Sequence, residues 1–205
     1  DTKQNWNYGE IADGIYISYG EDGEIDETGN YQNGLEDGKW TYYYENGEIE
    51  KEGNYKGGKQ DEEWTYYYEN AEIEMVGKWL NGQAEGHWIF YYENGNISYE
   101  VDYKNHEKNG KYISYFENQE GVIEWIYYYE NGNRTGTTTR FYENENIWYK
   151  GEIIALENGE DGWHGERIVY YDTGEIKTDE NWRRGLKTGS YKHYYKNGNI
   201  EWLYY

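Results

Sequence analysis

The apolar positions of this chain fall into bursts no longer than a β-strand. Trp40-Thr41-Tyr42-Tyr43-Tyr44 is followed by Glu-Asn-Gly, then by Ile49 and a mostly polar run to Tyr55, then by Gly57-Gly58. The phrase returns at residues 64–81 and 88–105, and in weaker form further on. No stretch keeps a helical period and glycine recurs too often for helices, so the pattern predicts strands joined by tight turns. Aligned two residues before the tryptophan, the register positions are Gly14, Gly38, Glu62, Gly86, Gly110, Gly136, Gly165 and Gly189. Their spacing is twenty-four residues, apart from two additional residues at Gln119–Glu120 and a longer loop within Ile154–His164. The expected fold is all-β: eight hairpin repeats forming an antiparallel meander of about 16 strands in one elongated, twisted sheet. Residues 1–12 read as a lead-in and 13–205 as the array.

Two kinds of turn alternate. Asn46-Gly47, Asn94-Gly95 and Asn197-Gly198 read as two-residue type I′ turns, which need positive φ at both central residues. Half a unit away stand Asn33-Gly34, Gly57-Gly58, Asn81-Gly82 and Asn131-Gly132. The first kind pairs Tyr44 with Ile49, Tyr42 with Lys51 and Trp40 with Gly53. The second pairs Tyr55 with Gln60, Lys51 with Trp64 and Ile49 with Tyr66. One face then carries Trp40, Tyr42, Tyr44, Ile49 and Tyr55 with their repeats, and is the expected core. Gly53 is bare so that the indole of Trp40 can lie across it. The other face carries Thr41, Glu50 and Glu52, with one aromatic per unit: Tyr19, Tyr43, Tyr67, Tyr91, Tyr115, Phe141, Tyr170 and Tyr194. Tyrosine is favoured at interfaces, so this column is the candidate binding surface. Its alternative role is cross-strand packing that stiffens the sheet.

Composition narrows the chemistry. The 205 residues include 29 Tyr and 10 Trp but no Cys or Pro, so the core must be written in rings whose polar tips need partners. The formal charge of −22 repels nucleic-acid phosphates and anionic lipids and suits a basic protein partner. No thiol is available as nucleophile or ligand. The histidines His87, His106, His164 and His193 fit no metal spacing, and carboxylates are too abundant for any pair to signal catalysis. The Glu157–Gly162 loop offers oxygen ligands without EF-hand spacing. No enzyme, cofactor or metal is expected. No apolar run reaches transmembrane length, so membrane insertion is not expected either. A chain beginning at Asp1 fits a processed exported or cell-surface protein, or a trimmed one.

The unit Asp37–Lys59, DGKWTYYYENGEIEKEGNYKGGK, resembles the MORN repeat variant of bacterial proteins of the YwqK antitoxin family, and the resemblance extends over residues 13–205. It implies β-hairpin arrays acting as scaffolds, and the antitoxin label implies neutralising a toxin by binding it. Glu62 and Ala71 depart from glycine in this pattern, and Thr138 and Arg167 depart from tryptophan. The chain is also similar, in part, to choline- and glucan-binding wall repeats, whose Gly-Trp pair occurs here at Gly162-Trp163. The expected function is a non-enzymatic scaffold engaging a basic protein, of antitoxin or immunity type. The alternatives are a wall carbohydrate- or choline-binding module and a self-associating surface or filament protein.

Overall fold

A computed structural model describes residues 6–7, 10–11, 13–156 and 159–205. It divides into two compact units, residues 1–96 with 103–106 and residues 97–102 with 107–205. The first holds β1 (Trp6–Asn7), β2 (Glu10–Ile11), β3 (Gly14–Tyr19), β4 (Ile25–Gln32), β5 (Leu35–Glu36), β6 (Gly38–Tyr43), β7 (Ile49–Lys56), β8 (Lys59–Tyr67), β9 (Ile73–Leu80) and β10 (Gln83–Tyr91). Residues of β11 (Ile97–Lys104) belong to both. The second holds β12 (Glu107–Tyr115), β13 (Ile123–Glu130), β14 (Asn133–Phe141), β15 (Ile147–Ala155), β16 (Asp161–Tyr170), β17 (Ile176–Arg183), β18 (Leu186–Lys187), β19 (Tyr191–Tyr194) and β20 (Ile200–Tyr204). Each unit is an antiparallel meander, as the repeat pattern predicts. Strands outnumber the expected sixteen for two reasons. β1 and β2 form a hairpin inside the lead-in. The β5–β6 and β18–β19 pairs are each one repeat strand interrupted beside a positive-φ glycine, Gly38 or Gly189.

The turns correct the sequence reading. At Asn46-Gly47 only the glycine has positive φ, at 83°. Gly47 N–H donates to Tyr44 O at 2.9 Å and Tyr44 N–H to Glu48 O at 2.8 Å. This is a three-residue loop, a type I turn closed by a left-handed glycine, and not a two-residue type I′ turn. Tyr43, rather than Tyr44, therefore pairs with Ile49. A bulge at Glu50 then restores the expected register, so Tyr42 pairs with Lys51 and Trp40 with Gly53. The turns half a unit away are type I′, with φ of 57° and 78° at Gly57 and Gly58.

Beyond that turn the pairing slips again. Tyr55 faces Gln60 as expected, but Gly53 faces Trp64 and Lys51 faces Tyr66, in place of the expected Lys51–Trp64 and Ile49–Tyr66 pairs. The two additional residues, Glu62 and Glu63, form a bulge in which Glu62 has φ of 62°. All eight register positions, from Gly14 to Gly189, have positive φ, which accounts for glycine at seven of them. A slip of two residues keeps these side chains on their face. The one-residue offset at the first turn, however, pairs Ile49 with Tyr43 and so puts Ile49 on the face of the aromatic column, not on the expected core face. The longer loop expected within Ile154–His164 is mostly strand: Ile153 pairs with Trp163 and Ala155 with Asp161.

The core of the first unit is a ladder of indoles and phenols. Trp40, Trp64 and Trp88 are buried, and Tyr31, Tyr55 and Tyr103 meet them edge to face at 5.1–5.8 Å. Each indole covers a glycine of the preceding repeat. Trp40 lies on Gly29, Trp64 on Gly53 and Trp88 on Gly77, so the ring above Gly53 is that of Trp64 and not the expected Trp40. The indole N–H groups of Trp40 and Trp64 donate to Asn30 O at 3.2 Å and Asn54 O at 2.9 Å. In the second unit guanidinium groups join the ladder. Arg140 lies over Trp125 and Trp148 at 4.6 and 4.3 Å, and Arg167 over Tyr149 and Trp163 at 4.9 and 4.7 Å.

Candidate functional site

The aromatic column is set by the strand ends. Each of Tyr19, Tyr43 and Tyr67 in the first unit follows a bulge and pairs with an isoleucine, Ile25, Ile49 or Ile73. Tyr91 ends β10. Tyr115, Phe141, Tyr170 and Tyr194 of the second unit pair with Ile123, Ile147, Ile176 and Ile200 in the same way. Tyr19 is about half exposed and the others are half-buried.

Two hydroxyls of this column meet carboxylates. Tyr67 Oη donates to Glu52 Oε1 at 3.3 Å, and Tyr115 Oη to Glu100 Oε1 at 2.5 Å. Burial pushes the Tyr115 phenol up to about 12, with the Glu100 carboxylate adding to the shift. Burial raises Tyr67 as well, again with its carboxylate partner second. Lys39 Nζ reaches Glu52 Oε2 at 2.8 Å, and that bond holds the lysine above its ordinary value. In each unit a column tyrosine thus stands against acid, Tyr67 in the first and Tyr115 in the second.

Its backbone is clasped by the neighbouring repeat. Tyr44 Oη donates to Tyr67 O at 2.5 Å, Tyr68 Oη to Tyr91 O at 2.7 Å, Tyr142 Oη to Tyr170 O at 3.0 Å, and Tyr171 Oη to Tyr194 O at 2.8 Å. Beside each of the first three clasps an asparagine amide reaches the next turn: Asn46 to Glu69 O, Asn70 to Glu93 O and Asn144 to Asp172 O, at 2.8–3.1 Å. The closing Tyr-Glu-Asn of the repeated phrase is therefore a junction between consecutive repeats, and the column carbonyls are its acceptors.

A second feature escaped the sequence reading. In the second unit, Phe116, Arg140, Phe141, Tyr142, Glu143, Asn144 and Trp148 line an open hollow of about 390 Å³, with Tyr142 stacked on Trp148 at 5.5 Å. The signal for it was present as departures from the repeat. Phe116 stands where Tyr44, Tyr68, Tyr142 and Tyr171 carry the clasping hydroxyl, and Trp148 where Asp26, Glu50, Glu74, Glu124 and Glu201 are acidic. Phe141 lacks the hydroxyl of its column, and no other unit has arginine at the position of Arg140.

Two of the histidines take structural places: His106 occupies a turn at φ of 70° and His193 stacks on Trp202 at 5.0 Å. Among the described residues no group of three or more His, Asp or Glu side chains could hold a metal ion. Of the Glu157–Gly162 loop, Glu157 and Asn158 lie outside the described residues. No helix among the described residues is long and apolar enough to cross a membrane.

Comparison with known proteins places the repeats. The MORN repeat variant matches residues 12–33, 36–56, 84–105, 163–183 and 187–201. No curated protein sequence matches the chain. Two crystal structures are similar over 95% of this chain and 14% of theirs: TcdB2-TccC3-Cdc42, at 11% identity and a TM-score of 0.23, and TcdB2-TccC3, at 10% and 0.21. At TM-scores of this size the likeness carries no weight for fold or function.

Proposed function

We propose, from the premise that this chain is an array of MORN-variant repeats, that it is a non-enzymatic scaffold binding a basic protein, in the manner of an antitoxin or immunity protein. The carrying observation is that in each unit a half-buried column tyrosine sets its hydroxyl on a carboxylate, Tyr67 on Glu52 in the first and Tyr115 on Glu100 in the second, in a chain of net charge −22. Rings held against a sheet lose little conformational freedom on contact, and flanking acid steers and orients a cationic partner. The same charge disfavours nucleic acid and anionic membranes. The test is capture of a partner from the native source by the full chain at low salt, beside a chain with Tyr43, Tyr67 and Tyr91 changed to serine. A basic protein retained by the parent and lost by the variant supports the reading. Recovery of no protein partner, or equal recovery by both chains, refutes it.

A second reading, self-association, draws on the exposed side chains of β20. Ile200, Trp202, Leu203 and Tyr204 are exposed, as is Ile15 of β3, and an uncovered apolar edge strand is a template for pairing. A molar mass that stays monomeric over a hundredfold concentration range removes it.

A further inference from the structure

The geometry points to the hollow of the second unit as the seat of a lysine or arginine side chain from that basic partner. The inference rests on the functional reading above and names its anchor point. Four departures from the repeat converge here: Phe116, Arg140, Phe141 and Trp148. Two of them remove hydroxyls, and the third replaces a carboxylate with an indole, so the floor becomes apolar. With phenylalanine at position 116, the hydroxyl clasp made by Tyr44, Tyr68, Tyr142 and Tyr171 cannot form. The turn that follows Phe116 is also the one lengthened by Gln119–Glu120, and Gln119 Nε2 donates to Glu143 Oε2 at 3.3 Å across the rim.

The occupant follows from shape and charge. A volume of about 390 Å³ lies near the lower end of ligand-sized hollows, about 300–1,000 Å³, and suits one or two side chains. Residues 116–124 and 140–148 supply the carboxylates Glu117, Glu120, Glu124, Glu143 and Glu145 against one cation, Arg140. That cation is already engaged: its Nη2 is 2.8 Å from Glu124 Oε1 and its plane lies between Trp125 and Trp148. The remaining field is negative over an apolar floor. A side chain with an aliphatic stem and a cationic head matches both, the stem on Phe116 and Phe141 beside Trp148 and the head toward Glu143. The Trp148 ring is already overlain by Arg140 and stacked on Tyr142 at 5.5 Å. The rim is preorganised, because Asn144 and Asn146 both donate to Asp172 O at 2.8 Å.

The test titrates hexalysine into the full chain by calorimetry at low salt, with the parent, the Phe116→Tyr/Trp148→Glu variant and Glu143→Gln. The double variant restores residues that other repeats carry and makes the chain more acidic. Attraction by charge alone would therefore leave its affinity unchanged or tighter. Occupation of the hollow predicts at least a tenfold weaker Kd for the double variant and a smaller loss for Glu143→Gln. It also predicts movement of the Trp148 indole and Phe116 ring resonances of the parent on titration. Binding that is unchanged or tighter in the double variant, or shifts confined to other residues, overturns the assignment while leaving the basic-partner reading intact. Absence of hexalysine binding to the parent overturns both.

Discussion

Replacement of Gly53 by alanine probes the join between repeats directly. A Cβ at Gly53 would lie 2.3 Å from Cδ2 and 2.4 Å from Cγ of Trp64, distances at which something must move. The indole has nowhere to withdraw. It is fully buried, its N–H donates to Asn54 O at 2.9 Å, and Tyr55 meets it edge-on at 5.1 Å. Forcing one methyl into such a contact costs about 1–3 kcal/mol, and displacing the ring loses an indole hydrogen bond of about 1 kcal/mol. Glycine-to-alanine at an unobstructed site with compatible φ stabilises by about 0.4–1 kcal/mol through the unfolded chain. The sign is therefore diagnostic, and a net loss of about 2–3 kcal/mol is expected. Urea unfolding followed by indole emission and far-UV circular dichroism measures it. The paired arm installs Gly53→Tyr with Trp64→Thr, copying the buried Tyr127 and Thr138 of the second unit. Each single change should destabilise, and the double should recover at least about 1 kcal/mol relative to their sum. A Gly53→Ala chain as stable as the parent, or strict additivity in the pair, refutes the packing argument.

Glu62→Gly relieves a left-handed backbone at φ of 62° and should raise the urea midpoint by an amount equivalent to about 1 kcal/mol, less what the 3.3 Å Asn54–Glu62 contact contributes; a lower midpoint refutes it. Tyr68→Phe deletes the 2.7 Å bond to Tyr91 O and should cost about 1 kcal/mol in the same assay, with no change in circular dichroism; equal stability shows the clasp to be energetically idle. Glu180→Gln leaves the half-buried Arg167 without its 3.0 Å partner and should cost about 3 kcal/mol; a loss that vanishes in 0.5 M salt would show the pair to be solvated. Tyr31 and Tyr115 are pushed up to about 12, chiefly by burial, so the folded chain keeps their protons longer than the unfolded chain does. Their contribution to stability is full below about pH 10 and is lost as pH rises toward 12; tyrosinate absorbance in which every phenol titrates at its ordinary value refutes it.

Hairpin repeats, strand polarity and the faces of the Trp and Tyr positions were legible because they depend on local chemistry, turn residues at fixed offsets and period-two alternation, whereas Ile49 beside the turn was assigned to the wrong face. The register was legible only where errors cancelled. Reading Asn46-Gly47 as a two-residue turn misplaced Tyr44, yet the bulge at Glu50 returned Trp40 to Gly53. The slip at Glu62–Glu63 had no such compensation, and its sign in the sequence was the glycine recurring at the other register positions, read there as an alignment mark rather than a backbone requirement. The direction in which an indole leans along the sheet is a side-chain property that spacing alone does not encode. That is why the ring above Gly53 was assigned to the wrong repeat. The aromatic column was found, but the clasp beneath it was not, since a tyrosine hydroxyl reaching a carbonyl twenty-three residues away has no local signature. The hollow was missed because departures were noticed only where they broke the Trp and Gly pattern, at Glu62, Ala71, Thr138 and Arg167, and none of these lines it.

Departures from the repeat divide by whether a neighbour answers them. Where tryptophan becomes Thr138, the position opposite, glycine in the first unit, becomes Tyr127, and both are buried, so ring volume has moved from one strand to the next. Where tryptophan becomes Arg167, its Cβ lies against bare Gly151, while the following glycine position holds Glu180, whose carboxylate meets the guanidinium at 3.0 Å. In both cases the changed residue and its answer restore a filled, paired junction, as a core near close packing requires. Phe116, Phe141 and Trp148 behave differently. Hydroxyls and a carboxylate are removed together, the clasp is lost, and what results is an open hollow with acid around it. The tyrosine and glutamate that other repeats carry at positions 116 and 148 would restore the clasping hydroxyl and the carboxylate there. A junction opened by three such changes together is what the proposed seating of a cationic side chain would use.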